Sequence, residues 1–139
     1  MELEDLNAHL QLLQTREELT ELLDRLYSKA APGAQRLDGM PHGSGPADKV
    51  GDLATEIIFV KASIDELQEE IQQSETRIKA FIGTIPNAKT QLLFTLRFIR
   101  GLQWKEVADI MGKYQTVGNV SRMCYQYLEK QEHRKEGEP

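Results

Sequence analysis

A chain of 139 residues carrying 17 Lys+Arg against 22 Asp+Glu has room for one ordinary domain, or for a small domain on an elongated helical extension. Its single cysteine excludes an intramolecular disulfide, and His9, His42 and His133 are too scattered to suggest a zinc site, so no cofactor or metal is expected. The acidic start MELEDL is unlike a secretory signal and the apolar run in EIIFVK is too short to span a bilayer, which predicts a cytoplasmic protein with no membrane contact.

Residues 2–29 contain neither proline nor glycine, and Leu3, Leu6, Leu10, Leu13, Leu19, Leu22, Leu23 and Leu26 recur at helical spacing. One amphipathic helix is predicted, roughly 40 Å long at ~1.5 Å per residue. The stretch APGAQRLDGMPHGSGPAD, about residues 31–48, then concentrates proline and glycine and reads as a flexible loop. It lacks the Gly-Lys-Ser/Thr ending and the preceding strand of a phosphate-binding loop.

From Asp48 to Phe81 a seven-residue repeat sets in. Val50, Ile57, Ile64, Ile71 and Ile78 form one row; Leu53, Val60, Leu67 and Phe81 form the other, broken only by Ser74. β-Branched residues in the first row and leucine in the second suit a parallel two-stranded coiled coil. The flanks do not select it: Glu56 would face Lys61 favourably, but Glu70 would face Glu75, and Ile58 and Phe59 widen the apolar face. The expectation is a helix that folds back antiparallel on the first helix and leaves surface for a second copy. Val50, Leu53, Ile57, Val60, Ile64, Leu67, Ile71 and Ile78 are the candidate homodimer residues, within an oligomerisation region spanning 1–82.

Gly83 and Pro86 end this helix. A compact unit over 85–131 is predicted next, followed by a frayed charged tail at 132–139. Asn87 caps a helix reaching about Arg100, with Leu92, Leu93, Leu96 and Ile99 inward. Gly101 ends it, and a second helix over Trp104–Met111 buries Val107, Ala108 and Met111. Gly112 would supply a left-handed turn. Thr116 caps a third helix with Val120, Met123, Cys124, Tyr127 and Leu128 inward. Val117, Gly118, Asn119, Ser121, Arg122, Tyr125 and Gln126 then face outward, a polar set without an acid. The fold class expected is all-α, a helical hairpin or coiled coil followed by a three-helix helix-turn-helix domain.

The net charge of −5 conceals a division. Residues 1–86 carry 8 basic and 16 acidic side chains, or −8, whereas residues 87–139 carry 9 and 6, or +3. A polyanion would meet the carboxy-terminal part, and the outward side chains there match the edges of bases. Arg122 suits guanine, Asn119 and Gln126 suit adenine, Ser121 pairs with either, and Val117 suits a thymine methyl. Lys105, Lys113, Thr116, Tyr125 and Lys130 are the candidate phosphate contacts. Double-stranded DNA is the predicted partner. One copy, neutralising ~3–4 phosphates, would bind weakly, and a dimer would raise affinity through effective concentration.

From Ile85 to Lys130, IPNAKTQLLFTLRFIRGLQWKEVADIMG followed by TVGNVSRMCYQYLEK resembles the helix-turn-helix of sigma-factor region four. The order of the whole chain, including the DGMPHGSG loop and the heptad helix, resembles small phage late-transcription regulators of the ArpU/RinA-like type. That resemblance implies DNA-binding control of phage gene expression in a bacterial host. The sequence departs from the pattern at Gln103, where a Ser or Thr cap is usual. The GKYQT connection is also about two residues longer, and Gly118 lies within the third helix. Two other readings follow from the same features: a phage terminase small subunit that recognises packaging DNA, and a coiled-coil adaptor that binds RNA polymerase or another protein. No catalytic arrangement is supported, because adjacent acids such as Glu17–Glu18 and Glu69–Glu70 do not face one another on a helix. The chain is not expected to be an enzyme.

Overall fold

The structure is a computed structural model that describes residues 1–31 and 45–137, and the side chains of 1–31 and 51–134. The regular structure of the described residues is helical throughout: α1 (Leu3–Ala30), α2 (Gly45–Gly83), α3 (Ala88–Phe94, continuing as a π-helical turn over Thr95–Ile99), α4 (Trp104–Met111) and α5 (Val117–Gly137). The fold is all-α, as the periodicities predict. Residues 32–44, most of the Gly/Pro-rich stretch, lie outside the described residues, as does the side chain of Val50. No described helix is long and apolar enough to cross a membrane.

The chain forms two compact units, one made of Met1–Leu13 with Ile71–Pro139 and the other of Gln14–Glu70. In the first, a single core gathers Leu6 from α1, Ile78, Phe81 and Ile82 from α2, Ile85 from the connection, and Leu93, Phe94, Leu96, Phe98, Val107, Ala108, Val120, Cys124 and Leu128 from the last three helices. Phe94 is its aromatic centre. Its ring lies 5.7 Å from Phe81, 5.7 Å from Tyr127 and 5.6 Å from Phe98, centroid to centroid. The first two pairs are edge-on, where the positive rim of one ring meets the negative face of the other.

Ser74, the one interruption of the heptad rows, is buried in this unit together with His9, whose Nδ1 lies 2.8 Å from the serine hydroxyl. A polar pair inside an apolar seam fixes register, since any slip would bury a polar group without its partner. Ile71 and Ile78 are each 1% exposed within one chain and have no surface left to offer a second copy. These two of the eight candidate homodimer residues therefore pack internally.

In the second unit Leu26 and Val60 are buried. Arg16 Nη1 donates to Gln68 Oε1 at 3.0 Å, and Lys61 Nζ stands 5.3 Å from the ring centroid of Tyr27. Residue numbers rise along α1 as they fall along α2, the order of antiparallel packing. Leu53, Ile57, Ile64 and Leu67 are half-buried, whereas Ile58 and Phe59 face solvent.

The inward stripe of α3 differs from the expected one. Leu92 is 44% exposed and Ile99 half-buried, while Phe94 and Phe98 are fully covered. The two phenylalanines bring more apolar area than Leu92, and the wider π turn, in which the Arg100 amide reaches the Thr95 carbonyl at 3.0 Å, shifts the inward face between them. Asn87 caps the helix as predicted, its Oδ1 accepting from the amides of Lys89 and Thr90 at 2.8 and 3.2 Å. The tail also differs from expectation, because α5 continues as helix to Gly137.

Gly101 ends α3 at φ 69°, and a Cβ there would meet Leu13 Cδ1 at 3.3 Å. Gly101→Ala should lower unfolding stability by about 1–2 kcal/mol, from the left-handed backbone alone. Urea denaturation of the full chain measures it, and an unchanged midpoint would contradict this account of the turn.

Candidate nucleic-acid interface

Helix α5 begins at a cap. The Thr116 hydroxyl oxygen accepts from the Asn119 amide at 3.1 Å, which satisfies one of the free donors of the first turn and leaves the hydroxyl hydrogen available. From there the helix divides by face. Val120, Cys124 and Leu128 are buried and Met123 and Tyr127 half-buried, against the core that Phe94 organises. Val117, Gly118, Asn119, Arg122, Tyr125 and Gln126 are exposed, and Ser121 is half-buried at the boundary. The inward and outward faces of this helix fall as expected, with Met123, Tyr127 and Ser121 intermediate.

Three of the candidate base-reading side chains, Asn119, Arg122 and Gln126, share one side of α5, whereas Val117 and Ser121 fall at the helical angle of Cys124 and Leu128. Asn119, Arg122 and Gln126 are spaced three and four apart and span about 10 Å of helix, roughly three base-pair steps of a duplex. Arg122 makes no ion pair among the described residues, so its guanidinium is directed to solvent. Ser121 Oγ donates to the Gly118 carbonyl at 3.2 Å, which leaves its oxygen to accept. Lys105, Lys113, Thr116 and Lys130 are exposed. Tyr125 packs its ring edge-on to Trp104, 6.3 Å between centroids, which orients it at the margin.

Three features lay outside the sequence reading. Glu129, one turn beyond Gln126 and seven residues after Arg122, places an acid on the outer side of α5, so the acid-free surface ends there. Arg97 has a structural role. Its Nη1 donates to the Leu102 carbonyl at 2.8 Å while the guanidinium lies 4.9 Å from the Trp104 ring centroid. This clamp fixes the start of α4, where Gln103 supplies no side-chain cap. The only tryptophan, seven residues from an arginine across a glycine turn, was the available signal. Tyr114, in the connection, is 86% exposed, with Ile110 exposed nearby in sequence.

Gly112 adopts φ 157° and ψ 157°, a positive-φ conformation that residues with side chains rarely adopt, so glycine is required here although the backbone is not the left-handed helical one expected. The reversal continues in the residues after it, with the Gln115 amide bonding the Gly112 carbonyl at 3.1 Å. Cys124 is buried, and desolvation pushes its thiol up to about 12, with the Arg97 charge opposing weakly. It stays protonated near neutral pH and packs as a small apolar group. No group of three or more metal-ligating side chains occurs among the described residues.

Comparison with protein families, curated proteins and solved structures finds no match to this chain.

A Cβ at Gly118 would meet only Thr116 Oγ1, at an ordinary 3.9 Å. Gly118→Ala should therefore raise stability, by up to about 1 kcal/mol, through helix propensity. A lower denaturation midpoint would show that the start of α5 is more crowded than this geometry.

Proposed function

We propose that this chain is a sequence-specific double-stranded DNA-binding regulator of transcription, of the kind that phage and prophage genomes supply to a bacterial cytoplasm. In this reading α4 and α5 act as a helix-turn-helix. Helix α5 enters the major groove, and α4 lies across the backbone. The observation that carries it is the division of α5: one face is held by the core, and the opposite face presents Asn119, Arg122 and Gln126 to solvent, with no side-chain partner for them among the described residues.

The surrounding chemistry is consistent with that use. The amino terminus of α5 suits a phosphate, and the exposed Lys105, Lys113 and Lys130 add cations. The resemblance to sigma region four and to the ArpU/RinA-like regulators supports the same assignment. Glu106 and Asp109 are exposed on α4 among these lysines, so the electrostatic contribution per copy is modest. Two copies on paired half-sites would compensate through effective concentration.

A second reading is favoured by one observation. Ile110 and Tyr114 expose apolar surface at the end of α4 and in the connection, which suits contact with a protein such as RNA polymerase.

Genome-fragment selection with the purified full chain, followed by salt titration on the enriched duplex, tests the proposal. Arg122→Ala should weaken specific binding by about 1–3 kcal/mol and relax preference at one position. Lys113→Ala should instead weaken binding to all sequences and reduce the salt slope by about one. Failure to enrich any site, or binding indifferent to Arg122→Ala and to salt, would refute DNA recognition by this face.

A further inference from the structure

We propose, resting on the DNA reading above, that Arg97 and Trp104 are positioning residues: together they hold the Tyr125 ring so that its hydroxyl meets a phosphate at the edge of the major groove. All three residues belong to the first compact unit.

Tyr125 is an exposed side chain that is nevertheless held. It is 45% exposed, yet its ring meets Trp104 edge-on at 6.3 Å. Trp104 is itself held from two further directions: the Phe98 ring stands edge-on at 6.5 Å, and the Arg97 guanidinium lies 4.9 Å from the indole centroid. Arg97 is fixed in turn by donation from Nη1 to the Leu102 carbonyl at 2.8 Å. Support thus runs from a fully buried phenylalanine to an exposed phenol. Ordering a side chain before it binds removes part of the entropy that its bond would otherwise cost.

The chemistry of Arg97 goes beyond satisfying one carbonyl. Its Nε is buried without a hydrogen-bond partner, and no carboxylate pairs with the guanidinium among the described residues. A neutral donor would serve the Leu102 carbonyl without desolvating a charge; a guanidinium adds attraction to the face of the indole.

Placement selects the phosphate. At about 100° per residue, Tyr125 lies about 60° round α5 from Arg122, on the side away from Asn119 and Gln126. With those three directed at base edges, Tyr125 faces the groove wall next to the start of α4, where the backbone passes in a helix-turn-helix. Its hydroxyl has no hydrogen-bond partner among the described residues and can donate, and a phosphate oxygen is the acceptor such a wall offers.

Random-sequence duplex DNA at low salt is the probe, because a phosphate contact is indifferent to sequence. Tyr125→Phe should weaken binding of the full chain about ten-fold, the worth of a hydrogen bond to a charged acceptor. Arg97→Met and Trp104→Leu should each weaken it in the wild-type background and have no further effect in the Tyr125→Phe background. A general loss of structure would instead weaken binding equally in both. Neither variant should change the salt slope, since no cation leaves a phosphate. In the free protein, side-chain couplings of Tyr125 should report a single χ1 rotamer, averaged in Trp104→Leu. If the Arg97 or Trp104 variants unfold, Tyr125→Phe and the wild-type rotamer still decide. Binding indifferent to Tyr125→Phe, additive losses, a salt slope reduced by about one in Arg97→Met, or an averaged rotamer in wild type would each overturn the proposal. Additive losses beside an enriched genomic site would sink this contact alone; full coupling with no enriched site would sink sequence recognition alone. A wild-type chain that ignores the duplex removes both.

Discussion

The contact on which the first compact unit depends is the meeting of Phe94 with Phe81, Phe98 and Tyr127. These rings come from α2, α3 and α5, so one aromatic cluster ties together segments far apart in sequence. Removing a buried phenylalanine costs about 3–5 kcal/mol, a large share of the stability of a small domain. The functional consequence is orientation. With Val120, Cys124 and Leu128 committed to this core, the helical repeat leaves Asn119, Arg122 and Gln126 no alternative but the opposite side. A second chain of contacts, Phe98 to Trp104 and Trp104 to Tyr125, continues the cluster to the start of α4 and the margin of the exposed face. There the Arg97 clamp on Leu102 and Trp104 does the work that an absent cap residue does elsewhere.

Electrostatics complements this geometry only in part. The carboxy-terminal residues carry +3 while the remainder carries −8, so a duplex would be drawn to one end of the sequence and repelled by the other. That arrangement favours orientation over raw affinity. Glu129 marks the end of the usable face, and the acids on α4 dilute its lysines. Under the proposed function, the modest charge of one copy would call for a second.

Much of this was legible in the sequence because helices declare themselves by period. The inner and outer faces of α5, the Asn87 and Thr116 caps and the burial of Val107 and Ala108 follow from spacing and cap chemistry alone. The heptad rows were legible as apolar, but a repeat does not say which helix it packs against. Ile71 and Ile78 found their partners within the chain, and Ser74, seemingly a flaw in the repeat, is the partner of His9. The π turn was not legible, since it arises from competition between Leu92 and two phenylalanines for one core. Nor was the conformation of Gly112, which uses glycine's access to positive φ without forming the left-handed helical turn expected. Helix persistence to Gly137 escaped a reading based on mixed charge, which is compatible with a helix as well as with a frayed end.

The central claim is that α5 presents an ordered polar face to DNA. Amide chemical-shift mapping of the isotope-labelled full chain, titrated with an enriched duplex, examines it residue by residue. The account predicts that the largest changes fall on Thr116, Asn119, Arg122 and Gln126, with the amides of Ile58 and Phe59 little affected. Changes concentrated on α2, with α5 unmoved at saturation, would contradict it.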